Sequence, residues 1–365
     1  MRTVITGGGT GGHLFPALAV GECLLARRPE APVLFVGARG GVEATLLPRL
    51  GRDFRGLEVS QVKGKGRVRQ LRALLGLPRI VREASGLLGE FRADVVLGVG
   101  GYASFPTVVA AALRGIPRVI HEQNAIPGLA NRWLGRLASA VAVSFEASAD
   151  SFRGRRVAVT GNPVRASIRP GDSRAARRRL ALAEERFTVL VFGGSQGAHR
   201  LNAAAMEALP ELGSARERIQ FVHATGEKDL AAVREAYLRH RVRAHVAPFF
   251  EEMATAYQAA DVAVGRAGAG TLFELAAMGL PALLVPYPFA ANDHQRANAE
   301  AWAAAGAAWT LPDGACDGRR VAARLAESLA EPARLRQMGS AARTLARPEA
   351  ASEIADLLES VARRA

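Results

Sequence analysis

Short β-branched runs alternate with Ala- and Leu-rich helical stretches along almost the whole chain, and this alternation limits the fold more than any other feature. Runs that are apolar at every residue belong to strands buried on both faces. Strands separated by helix-length segments pair in parallel. Strands are predicted at Thr3–Thr6, Val33–Val36, Asp94–Gly98, Arg118–His121, Val141–Ser144 and Val157–Thr160. The pattern resumes with Thr188–Phe192, Gln220–Ala224, Arg243–Ala247, Val262–Val264 and Ala282–Val285. Each half therefore reads as a doubly wound α/β domain, with ligands expected where strand C-termini meet helix N-termini. A length of 365 residues suits two such domains. The seam is predicted at Gly161-Asn162-Pro163-Val164, dividing 1–162 from 163–348, and 349–365 reads as a last helix able to pack on either domain.

The formal net charge of +14 is unevenly placed. Residues 1–162 hold 22 of the 48 Lys and Arg but only 11 of the 34 Asp and Glu. A basic first half beside a nearly balanced second half points to an acidic partner for the first. No aromatic platform or nucleic-acid-binding motif accompanies the charge, so nucleic acid is not expected. The two cysteines, Cys23 and Cys316, have no ligand-like spacing, which fits a reducing compartment without a disulfide or zinc framework. The N-terminus runs directly into the first predicted strand, so no signal peptide is expected. The long uncharged stretches Thr3–Gly21, Val95–Leu113 and Leu275–Asn292 are too broken by Gly and Pro to span a bilayer.

Three glycine-rich turns each follow a strand and open a helix. In the first, Thr6-Gly7-Gly8-Gly9-Thr10-Gly11-Gly12-His13, glycines permit close approach of a ligand to unpaired helix N–H groups. It satisfies a dinucleotide fingerprint, but Gly37-Ala38-Arg39 stands where a ribose-binding acid is needed. An NADP-type oxidoreductase would have to use Arg39 on a 2′-phosphate. The second, Gly193-Gly194-Ser195-Gln196-Gly197-Ala198, matches a nucleophile elbow, with Asp261 and His294 downstream in serine-hydrolase order; it equally suits an anion-binding turn. The third, Gly265 to Glu274, places a carboxylate one turn into a helix, where it either accepts from a ribose diol or complements the helix dipole. No Walker A, H-E-x-x-H or D-x-D pattern is present, so no metal or organic cofactor is expected. A non-catalytic nucleotide-sugar-binding module remains a further reading.

Together, GGGTGGHLFPALA, VVLGVGGYASFP, HEQNAIPGLANRWL, TGNPVR, FGGSQGAHRLN and RAGAGTLFELAAMGLPALLVPYPFAANDHQRANA, in this order, resemble the MurG family of bacterial peptidoglycan glycosyltransferases over almost the whole chain. The resemblance implies a GT-B architecture: two Rossmann-like domains facing across a cleft, the C-terminal one holding UDP-N-acetylglucosamine and the final helix returning to the N-terminal one. It implies inverting, metal-independent transfer of N-acetylglucosamine to the C4 hydroxyl of N-acetylmuramic acid on undecaprenyl pyrophosphate, converting lipid I to lipid II. By motif, Thr10, Gly11 and Gly12 would lie near the sugar and pyrophosphate, and Asn124 would contact the acceptor or the sugar. Arg165 and Ser195 would meet the diphosphate, and Phe250 would pack on uracil. Ala269, Gly270, Thr271, Leu272, Phe273 and Glu274 would surround the nucleoside, with Glu274 on the ribose. Gln295 would bind hydroxyls of the transferred sugar. The chain departs from the family's usual Ser-Gly-Ala-Leu-Thr-Val-Ser-Glu at Ala267–Glu274.

Inverting transfer needs a base for the acceptor hydroxyl and a stabilised diphosphate leaving group. His13 is the candidate base, its alternative role being to orient the loop or bind phosphate; Glu122 is the reserve, its alternative being to fix the loop around Asn124. From Lys63 to Arg92, eight basic residues face only Glu83 and Glu90 and are interspersed with Leu74, Leu75, Leu77, Ile80 and Val81. This reads either as an interfacial patch for an anionic membrane, with the enzyme peripheral on its cytoplasmic face, or as an amphipathic helix facing its own core.

Overall fold

The computed structural model describes residues 1–59, 67–194 and 197–363, apart from the side chains of residues 67–74. Two compact units emerge: Met1–Arg165 with Arg347–Ala365, and Ala166–Ala346.

The first unit is built on seven parallel strands: β1 (Thr3–Thr6), β2 (Val33–Ala38), β3 (Phe54–Leu57), β4 (Val95–Gly98), β5 (Arg118–Glu122), β6 (Ala140–Val143) and β7 (Val157–Val159). Their order is β3-β2-β1-β4-β5-β6-β7. Its helices include α1 (Gly11–Arg27), α2 (Val42–Arg49), α3 (Arg67–Phe91), α4 (Ser104–Leu113) and α5 (Leu129–Gly135). β1 is buried along its whole length, and alternate side chains feed cores on opposite faces. Ile5 joins Leu18, Val20, Ile354 and Leu358 on one face. Val4 joins Leu88, Val108 and Ile120 on the other. The winding direction reverses between β1 and β4, so the loops after these strands meet at a topological switch point, the usual ligand position in such sheets.

The second unit repeats this plan with six parallel strands: β8 (Phe187–Phe192), β9 (Ile219–Ala224), β10 (Ala244–Ala247), β11 (Val262–Gly265), β12 (Ala282–Leu284) and β13 (Ala308–Thr310). The order β10-β9-β8-β11-β12-β13 puts the switch point between β8 and β11. Two strands escape the sequence pattern, β3 and β13, and both lie at sheet edges. β3 carries Arg55 and Gly56, and β13 has three residues, so neither shows the buried apolar run of a central strand. Among the described residues no helix is long and apolar enough to cross a membrane.

Candidate active site

In the first unit the glycine turn leads into α1 with Thr10 as an extended N-cap. The amides of Gly11 and Gly12 open a helix of 17 residues, where no preceding carbonyl is available within the helix. Thr10 Oγ1 lies 3.2 Å from Nδ1 of His13. The other edge of the imidazole lies over Gly100 in the loop after β4, where a Cβ would stand 2.9 Å from Nε2. His13 is thus held between the two loops of the switch point. The Arg165 guanidinium stacks 4.2 Å from the centroid of the Phe15 ring, and a Cβ at Gly11 would sit 3.1 Å from that same ring. Thr10, Gly11, Gly12, His13 and Arg165 therefore share one region.

The residues after β5 form a buried bracket beside it. His121 is fully enclosed: its Nε2 lies 3.2 Å from the Gly161 carbonyl and 3.1 Å from Ser144 Oγ, and the Gln123 amide approaches Nδ1 at 3.2 Å. The carbonyl partner fixes the proton on Nε2. Burial lowers the His121 pKa to about 4, aided by nearby His13, so His121 is neutral near pH 7. Glu122 accepts from the Asn124 amide (2.9 Å) and side chain (3.2 Å), the Gly128 amide (3.1 Å) and the Asn131 side chain (2.9 Å). Burial raises its pKa against these four donors. A carboxylate so committed fixes the loop that carries Asn124. Asn131, which sequence reasoning missed, links Glu122 to the His13 region, its Nδ2 lying 3.8 Å from a Cβ built on Gly100.

In the second unit, Ser195 lies outside the described residues. The described residues on either side are joined by the Gly197 amide donating to the Gly194 carbonyl at 3.0 Å. Gly197 (φ +74°) backs so closely on the Thr225 carbonyl that a Cβ would come within 2.1 Å of it. Asn202 donates to the Thr225 carbonyl (2.8 Å) and to Asp229 (2.7 Å), tying this turn to the loop after β9. The helix Ala269–Met278 presents Glu274, whose Oε2 accepts from the hydroxyl of buried Tyr257 at 2.8 Å. Ala269 is buried at the start of that helix, while Gly270, Thr271 and Glu274 lie on its partly open face. Leu272 and Phe273 do not: both are core residues, and Phe273 packs edge-on against Trp302 at 5.3 Å. Helical geometry sends these two side chains inward, where they anchor the stretch whose backbone and outward side chains are the ones the resemblance places around the nucleoside. Phe250 is also buried, its ring 5.7 Å from His245, whereas neighbouring Phe249 is 45% exposed.

Gln295 Oε1 accepts from the amides of Ala267 (3.2 Å) and Tyr287 (3.0 Å), which leaves its NH2 as the end able to donate to a ligand. The preceding Asn292 and Asp293 both adopt positive φ, +54° and +55°, a strained backbone of the kind found where a side chain must be aimed. His294 Nδ1 is held by the Ala291 carbonyl at 2.7 Å.

The geometry disposes of a serine hydrolase and gives an NADP site no support. Asp261, needed for a hydrolase triad, binds Arg177 (2.8 Å) and the Thr188 amide (2.7 Å) at the start of β8. Gly193 and Gly194 follow the far end of that strand, a strand length of roughly 17–20 Å away. Arg39, which an NADP site would need on its phosphate, is paired with Glu58 and Glu83.

Residues 3–143 match the glycosyltransferase family 28 N-terminal domain, and residues 188–357 match the corresponding C-terminal domain. The UDP-N-acetylglucosamine–N-acetylmuramyl-(pentapeptide) pyrophosphoryl-undecaprenol N-acetylglucosamine transferase of Geobacter sp. (strain M21) is 44% identical over 354 residues, 97% of this chain and 94% of its own length. The chain belongs to the MurG family. Its Thermodesulfovibrio yellowstonii relative of the same description is 39% identical over the full length of both proteins. The crystal structure of Acinetobacter baumannii MurG superimposes with a TM-score of 0.76 at 31% identity, covering 99% of this chain and all of that one. A UDP-N-acetylglucosamine 2-epimerase structure, at 16% identity and a TM-score of 0.67 over 97% of this chain and 94% of its own, shares the fold. The MurG family and the GT-B fold inferred from six sequence motifs are thereby established.

Proposed function

We propose that this MurG-family chain transfers N-acetylglucosamine from UDP-N-acetylglucosamine to the C4 hydroxyl of the N-acetylmuramic acid of lipid I, forming lipid II. The observation that carries this reading is identity of 39–45% to transferases of that description along essentially the entire chain. In this assignment the second unit holds the donor: Glu274 accepts from the ribose, Thr271 and Gly270 lie beside the nucleoside, and the Gln295 NH2 meets sugar hydroxyls. Ser195 and the helix N-terminus after it are assigned to the diphosphate. The first unit serves the acceptor. His13 takes the proton of the C4 hydroxyl as that oxygen attacks the anomeric carbon. The bond to UDP breaks on the opposite side, inverting the centre, and Arg165 with helix N–H groups offsets the charge of the departing diphosphate. Asn124 contacts the acceptor or the transferred sugar. Incubating the protein with radiolabelled UDP-N-acetylglucosamine and a short-chain lipid I analogue is expected to put label on the lipid; an unlabelled lipid overturns the assignment.

The acceptor's polyprenyl chain confines it to a bilayer, so the enzyme is assigned to the cytoplasmic face of the membrane as a peripheral protein. Support comes from the basic excess of the first unit and from its exposed apolar side chains, among them Leu75, Leu113, Leu129 and Trp133, with Arg136 stacked on Trp133 at 4.8 Å. Lys63 and Lys65 lie outside the described residues, and α3 begins at Arg67. Each basic residue near an anionic leaflet contributes about 1 kcal/mol. Replacing Lys63, Lys65, Arg67 and Arg69 by Ser is therefore expected to cut binding to anionic vesicles, in a salt-sensitive manner, with activity on a water-soluble acceptor retained. Undiminished vesicle binding, or an equal loss on the soluble acceptor, would assign the segment a structural role.

A further inference from the structure

Gly7, Gly8 and Gly9 have φ of +153°, +136° and +82°, and a run of three glycines cannot hold such a shape unaided. The brace comes from outside the loop. Glu43, in the first turn of α2, is wholly buried. Its Oε2 accepts from the Gly9 amide and its Oε1 from the Ala38 amide, each at 2.9 Å, so one carboxylate joins the glycine turn after β1 to the end of β2. Glycines from three segments close around it: a Cβ at Gly8 or Gly41 would stand 2.4 Å from its carboxylate, and one at Gly37 would stand 2.5 Å from its Cγ. The Gly9 amide is thereby turned inward, and the amides of Gly11 and Gly12 are left as the donors that open α1.

We propose that Glu43 is a positioning residue for transfer: by holding Gly9 it sets the turn that carries Thr10, Gly11, Gly12 and His13 against the acceptor. This rests on the acceptor-side role given to that turn above. The contact requires two acceptor oxygens, because both partners are N–H groups. Glu43→Gln keeps the shape of the side chain but sets an NH2 group against one of those amides. The acceptor kcat/KM of Glu43→Gln is expected to fall on the order of 10- to 100-fold, the usual consequence of losing a buried charge-assisted hydrogen bond. UDP affinity should change far less, because the groups assigned to the nucleoside, Gly270, Thr271 and Glu274, lie in the second unit. Gly41→Ala gives an independent approach, since Gly41 has φ −84°, which alanine adopts without strain, yet its Cβ would displace the carboxylate. It is expected to reproduce the acceptor defect with UDP binding intact. Parent-like acceptor kinetics in either variant would overturn the proposal, as would a parallel loss of UDP affinity, which marks general unfolding. Absence of transfer by the parent protein would instead sink the functional assignment, before any variant is compared.

Discussion

His13→Ala is expected to lower kcat by on the order of 10²- to 10⁴-fold, the range over which a positioned general base acts. UDP affinity should change little, because Glu274 and the other groups assigned to the nucleoside lie in the second unit. The competing role, in which His13 only orients the turn through its contact with Thr10, makes a different forecast. Under it His13→Gln, which can still hydrogen-bond to Thr10, would recover most of the activity, and the acidic limb of the kcat/KM pH profile would persist. Under the base assignment glutamine rescues nothing and that limb disappears from the residual activity. His121 cannot substitute, since it is sealed in the interior and burial makes it a weak base, with its pKa lowered to about 4.

The second large effect concerns the donor. Glu274→Ala should weaken UDP binding about 10- to 100-fold, as expected for removing a carboxylate that accepts from a ligand hydroxyl. Tyr257→Phe deletes only the hydroxyl that steers this carboxylate and should cost less, on the order of a few-fold. In the double variant the tyrosine change should add little, since the group it orients is already gone. UDP affinity measured by calorimetry for the four proteins gives the coupling. Unaltered affinity in Glu274→Ala would remove the ribose role, and full additivity would remove the steering role of Tyr257.

The parts of this molecule that could be read from sequence are those whose physics is local. Glycine turns between an apolar strand and a helix mark switch points because strand, turn and helix N-terminus are contiguous in the chain. The central strands were visible as unbroken apolar runs. β3 and β13 were not, because an edge strand need not be apolar on both faces. Glu43 is 34 residues from the Gly9 amide it holds, and Tyr257 is 17 residues from Glu274; no local pattern reports such pairs. Arg39 stands at the end of the second strand, and the acid sits about one turn further on, aimed at the loop rather than at a ribose.

The first unit is discontinuous, and this bears on how the protein is made. Its closing helix, Ala350–Ala362, buries Ile354 and Leu358 completely in the same core as Ile5 and Val20. It is also tied to α1 through Arg27, which binds Asp356 at 2.6 Å. As the ribosome emits the chain, residues 166–346 form an uninterrupted stretch that can complete its own core. The N-terminal unit, though synthesised first, waits with an apolar groove unfilled until the last turns of helix emerge. A ribosome that stops short near residue 346 would therefore release a chain whose donor half is finished and whose acceptor half offers exposed α1 surface to chaperones and proteases.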